Sequence, residues 1–102
     1  MAEMTTAVQH NLPVKIVVLK NNSLSEVRFE QQELGNPPYG CDLGPIDFMG
    51  FAKACGADGF RCATPAEVRP ALTSALHSPR AAIVEAVVDP DEPPAKPEDV
   101  RA

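Results

Sequence analysis

Apolar and polar positions along the chain switch repeatedly between a helical and an extended period. Residues 2–11 place Ala2, Met4, Ala7 and Val8 at helical spacing and stop at Asn11 and Pro13, which predicts a helix. Residues 14–20, Val-Lys-Ile-Val-Val-Leu-Lys, are a β-branched run, apolar on successive positions as in a strand covered on both faces. Asn21, Asn22 and Ser23 break that run with side chains that bond nearby backbone, so a turn is expected there. Residues 25–34 read as a helix with Ser25 as its N-cap and Glu26 at the positive end of its dipole. Residues 35–45 hold three glycines and three prolines and read as a loop. A helix follows from about Asp47 to Cys55, with Phe48 and Phe51 on its apolar stripe and Gly56 past its end. A short strand is expected at 59–63. The next helix is announced by Thr64-Pro65-Ala66-Glu67 and runs to His77, with Pro70 predicting a kink or a late start. Ala81 to Val88 form a last strand, interrupted by Glu85 alone.

This alternation argues for an α/β layered domain with a parallel sheet. Three strands are fewer than a parallel sheet covered on both faces normally has, so the chain reads as part of a larger α/β unit. The composition changes at Asp89: the last fourteen residues contain four prolines and five acids against Lys96 and Arg101. The expected organisation is a folded portion over 1–88 and an extended, mostly unpacked acidic tail over 89–102.

Charge narrows the partners. Nine Lys/Arg against fourteen Asp/Glu give a net charge of −5, with no basic patch to neutralise a nucleic acid. Apolar runs shorter than ten residues argue against a membrane span, and the Met-Ala-Glu-Met start does not resemble a signal peptide. Cys41, Cys55 and Cys62, spaced by fourteen and seven, match no zinc pattern and read as ordinary reduced thiols of a cytoplasmic protein. His10 and His77 fall at helix ends, where a surface role offsets the dipole. Phe48 and Phe51 read as core.

Six ordered segments carry a family resemblance. They are Leu12 to Leu24, Glu30-Gln31, Gly35-Asn36-Pro37-Pro38-Tyr39-Gly40, Pro45-Ile46-Asp47-Phe48, Ala54-Cys55-Gly56 and Ile83 to Pro90. Together they resemble the cofactor-binding domain of thiamine-diphosphate-dependent enzymes. The resemblance is strongest to the pyruvate oxidase and quinone-dependent pyruvate dehydrogenase branch, with acetolactate synthase more distant. It covers residues 2 to about 94 and implies a partial three-layer α/β/α fold. The implied local strand order is 14–20, 81–88, 59–63. Continuous apolarity of 81–88 suits a central strand, and Arg61 suits an edge.

The resemblance also implies a chemistry. A diphosphate needs a cation bridge, and Mg²⁺ takes oxygen ligands in an octahedron it commonly shares with phosphate. The family draws these from a carboxylate in a Gly-Asp-Gly loop and from an Asn side chain and a backbone carbonyl in a second loop. Carried onto this chain, the metal ligands are the Asn21 side chain and the Ser23 carbonyl. Ser25 then fills a slot that is usually Gly, and Lys20 replaces a frequent first Asn. A register shifted by one would make Asn22 the ligand. Leu24 and Val27 would lie near the cofactor, and Glu30 matches a glutamate that faces the substrate and can assist proton handling.

The departure is an absence. Asn21 lies so close to Met1 that the Gly-Asp-Gly loop would fall before the start of this chain, and the activating and FAD-binding domains of such enzymes are expected to lie outside it too. The chain therefore reads as the C-terminal part of a 2-oxo acid decarboxylating enzyme with pyruvate-like substrates. Cofactor binding should be weak, with no turnover by this piece alone. A homo-oligomer is expected, and no nucleic acid or membrane. The alternative is a non-catalytic α/β remnant that oligomerises through the open edge of residues 14–20.

Overall fold

The computed structural model describes residues 2–93, ordered α1 (Ala2–Gln9), β1 (Lys15–Lys20), α2 (Ser25–Glu33), α3 (Phe48–Ala54), β2 (Asp58–Cys62), α4 (Pro65–His77) and β3 (Ala82–Val87). All three strands are parallel, in the order β1-β3-β2. Val17 aligns with Val84 on one side of β3, and Phe60 with Val84 on the other. The late strand thus inserts between its two predecessors, as expected.

Contacts divide the chain into two compact units: residues up to Lys20 with Ile46–Val88, and Asn21–Pro45 with the segment from Asp89 onward. The first unit holds the sheet. One core cluster joins Met4 and Ala7 of α1, Ala52 of α3 and Ile83 of β3, with Val18, Phe48 and Phe51 packed against it. The other joins Ala71 and Ala75 of α4 to Ala82 and Val84 of β3 and Cys62 of β2. Helices therefore pack on both faces of β3, which is why its Ala82–Glu85 stretch is buried throughout.

Helix ends follow local chemistry. Asp47 caps α3 by accepting the Gly50 N–H at 2.8 Å, and Gly56 (φ 82°) closes that helix in the left-handed region. At α4, Glu67 reaches back to accept the Ala63 and Thr64 N–H groups at 2.7 and 3.3 Å, with Pro65 at the first turn. Pro70 neither delays nor ends α4. The bond it forfeits is to the Ala66 carbonyl, on an exposed residue that water can reach.

Other expectations change. Ser25 is the first helical residue of α2, and Leu24, with no side-chain hydrogen bond, is its N-cap. β1 is not covered on both faces: Ile16, Val17 and Leu19 are 42%, 50% and 69% exposed. Its one edge meets β3 and no strand among the described residues meets the other. The tail does not begin unpacked, because Pro90 and Asp91 accept hydrogen bonds from α2. Residues 94–102 lie outside the described residues.

Candidate functional site

The second unit is built around the turn that directly follows β1. Asn22 sits in the left-handed region (φ 54°), a conformation Asn tolerates better than most residues. Asn21 Oδ1 accepts the Ser23 N–H at 3.1 Å, and its Nδ2 donates to Ser25 Oγ at 3.0 Å. Both ends of the amide are thereby assigned. A short antiparallel bridge between Ser23 and Asp42 holds the turn from the other side. There the Leu24 N–H donates to the Cys41 carbonyl (2.8 Å) and the Leu43 N–H to the Asn22 carbonyl (2.9 Å).

The loop supplying that bridge is fastened to α2 by one side-chain amide. Gln31 Nε2 donates to the Tyr39 carbonyl at 3.0 Å, while its Oε1 accepts the Tyr39 N–H at 2.9 Å and the Cys41 thiol at 3.3 Å. This explains why Cys41 is buried in a glycine- and proline-rich loop. Sequence reading did not single out Gln31 for this role, since a loop-bonding glutamine has no local signature.

Ser23 is buried, and its Oγ has no hydrogen-bond partner among the described residues. Leu24 and Val27 remain open, 45% and 44% exposed, and Glu30 is exposed on α2. The structure thus gathers Asn21, Asn22, Ser23 and Leu24 at the start of α2. The oxygens that Asn21, Ser23 and Ser25 themselves offer are neutral amide, hydroxyl and carbonyl atoms. Among the described residues no group of three or more His, Cys, Asp or Glu side chains could hold a metal. Such a set suits a hard cation only if a ligand anion supplies most of the negative charge, and the N–H groups of α2's first turn, at the positive end of that helix, suit that anion.

The profile described as "Thiamine pyrophosphate enzyme, C-terminal TPP binding domain" matches residues 1–86. The chain belongs to this family. It is 37% identical over 94 residues to YdaP of Bacillus subtilis (strain 168), provisionally named a thiamine pyrophosphate-containing protein, covering 92% of this chain and 16% of that one. It is 29% identical over 87 residues to the catabolic acetolactate synthase of Raoultella terrigena, covering 85% of this chain and 16% of the relative. Among solved structures, the thiamine diphosphate-dependent 4-hydroxybenzoylformate decarboxylase of Rhodococcus jostii RHA1 superposes with a TM-score of 0.76 at 28% identity. That match covers 84% of this chain and 16% of the decarboxylase. The chain therefore spans about a sixth of the length of these relatives. The oriented Asn21 amide fits one share of a Mg²⁺–diphosphate site, with further ligand charge required from elsewhere. No helix among the described residues is long and apolar enough to cross a membrane.

Proposed function

We propose that this chain forms the C-terminal portion of the cofactor domain of a thiamine diphosphate-dependent enzyme that decarboxylates pyruvate-like 2-oxo acids, of pyruvate oxidase or quinone-dependent dehydrogenase type. Asn21 Oδ1 and the Ser23 carbonyl ligate Mg²⁺, while Asn22, Leu24 and Val27 line the cofactor. Glu30 is the candidate catalytic carboxylate, moving a proton on the substrate side, and its exposure leaves it accessible for that task. When bound, thiamine diphosphate would supply the carbon nucleophile that adds to the 2-oxo carbonyl and the cationic thiazolium ring that takes up the electron pair released with CO₂. FAD belongs to the whole enzyme and not to this portion. Residues 1–88 form the domain portion and 89–102 its acidic tail. A cytoplasmic location is favoured by three free thiols.

The observation that carries this reading is the Asn21–Ser25 turn at the carboxyl end of a parallel strand, where α/β proteins gather their ligands. The experiment is a thermal shift with Mg²⁺ and thiamine diphosphate together. A rise in Tm at millimolar ligand, abolished by Asn21→Ala, is expected. No rise at that concentration defeats the site.

The exposed edge of β1 favours a second reading, a non-catalytic α/β module that self-associates. The two readings share one expectation, a homo-oligomer, and differ in the thermal shift.

A further inference from the structure

The residues just after β3 return to the turn. Ser25 Oγ, which accepts from Asn21 Nδ2, donates its own proton to the Pro90 carbonyl at 3.0 Å. Arg28, one turn along α2, donates through Nη2 to the same Pro90 carbonyl and to Asp91 Oδ1, the latter at 2.8 Å. The return is itself pinned, since the Asp91 N–H donates to the Asp89 carboxylate at 2.9 Å. We infer that Asp89–Asp91 is a clasp that sets the amide orientation of Asn21, acting through the Ser25 hydroxyl and anchored by Arg28.

The argument rests on hydrogen-bond direction. A serine hydroxyl has one proton to give, and the Pro90 carbonyl, which can only accept, takes it. Ser25 Oγ can then only accept, so the atom of Asn21 facing it must be a donor, Nδ2. The other end of the amide meets the Ser23 N–H, which requires an oxygen. Without the Pro90 carbonyl the hydroxyl is free to rotate and donate to Asn21, and one of the two constraints on the amide disappears. Arg28 keeps the carbonyl in place at some cost. Its side chain is 18% exposed and its Nε is buried without a partner among the described residues, so the tail's acceptors are what offset its desolvation.

Ser25 and Arg28 are therefore positioning residues. Their bearing on the cofactor rests on the reading of Asn21 as a ligand through Oδ1. A fixed amide offers the ion an oxygen, and a flipped one offers it a hydrogen-bond donor. Ser25 occupies a slot where the family resemblance expects glycine, so the hydroxyl link is a feature of this chain's own sequence.

The test uses the ¹⁵N-labelled full chain. Without ligand, hydrogen exchange at the Asn21 side-chain amide should quicken about fivefold in Arg28→Ala and in Ser25→Ala, as for loss of one hydrogen bond, and recover in Ser25→Thr. Backbone signals of β3 should stay in place. If Arg28→Ala disturbs α2, Asp91→Ala, on an exposed side chain, gives the same reading. Unchanged exchange overturns the clasp. Mn²⁺ with thiamine diphosphate is then titrated as a paramagnetic probe. Broadening of Asn21 and Ser23 should need about fivefold more probe in Arg28→Ala than in the unaltered chain. Equal broadening in both overturns the clasp's role at the site. No broadening in the unaltered chain defeats the ligand reading and leaves the exchange rates to decide the clasp.

Discussion

Glu85 is a carboxylate 2% exposed within an otherwise aliphatic strand. Its Oε1 lies 3.3 Å from Lys20 Nζ and 3.5 Å from Arg61 Nε, and its Oε2 accepts the Phe48 N–H at 2.9 Å. One acid thus links all three strands and the first residue of α3. A buried charge gains little net stability from its partners, but removing one side strands the other. Glu85→Ala is therefore expected to cost about 3 kcal/mol in urea unfolding, leaving Lys20 uncompensated and the Phe48 N–H unsatisfied. Glu85→Gln, which keeps an oxygen for Phe48, should cost less. Equal midpoints for Glu85→Ala and the unaltered chain would refute this. In the sequence the residue was visible as an interruption of an apolar run, but its partners were not, because they come from 20, 48 and 61.

Asp58 carries the pH dependence at this scale. The Ser78 hydroxyl donates to its carboxylate, and this bond, helped by the positive charge of Arg80 and Lys15, holds its pKa below the usual 3.8 against the opposing effect of burial. A lowered folded value means that the stabilisation is complete above the unfolded value. It is lost as the pH falls below 3.8 and through the folded value. Asp58→Asn should cost less than about 1 kcal/mol at pH 7, and its gap from the unaltered chain should close toward pH 2, measured by urea unfolding at both.

Elements are where local chemistry speaks most clearly. The caps of α3 and α4 and the positive φ at Gly56 follow from Asp47, the Thr64–Glu67 segment and glycine at the left-handed position, all contiguous in sequence. How α3 approaches β2 is decided otherwise. A Cβ on Gly59 would stand 2.5 Å from the Met49 carbonyl oxygen, so β2 and α3 meet backbone to backbone there. Gly59→Ala is expected to lower stability by about 2 kcal/mol, as overpacking does, whereas Gly44→Ala, with open space around it, should leave it nearly unchanged. Equal melting temperatures for the two variants would contradict this packing. The helix at 25–33 was legible, but its N-cap was not. Ser25 has the right chemistry for a cap and spends it instead on Asn21 and Pro90.

For the molecule as a whole, the fully buried apolar residues are mostly alanines, while larger side chains such as Leu19 and Leu76 stay 69% and 68% exposed. α4 packs over β2 and β3, leaving Val17 and Leu19 of β1 beside an open apolar groove of about 460 Å³. A parallel edge strand with exposed aliphatic side chains is a template for further pairing. The chain is expected to elute in size-exclusion chromatography with light scattering at more than its 10.9 kDa monomer mass, and Leu19→Glu should shift it toward monomer. A monomer at 100 µM, on the order of the concentrations at which weak interfaces assemble, would remove the edge as an interface.

Periodicity and turn chemistry, read from the sequence alone, determined the order of helices and strands, because each is set by residues a few positions apart. The ordered segments shared with thiamine-diphosphate enzymes carried the strand order and the place of the polar turn. Only the tertiary structure decided that β1 is left half open, that Glu85 binds three strands together and that the start of the tail returns to Ser25 and Arg28. These depend on residues more than twenty positions apart, whose meeting is a matter of chain closure and packing that no local pattern encodes.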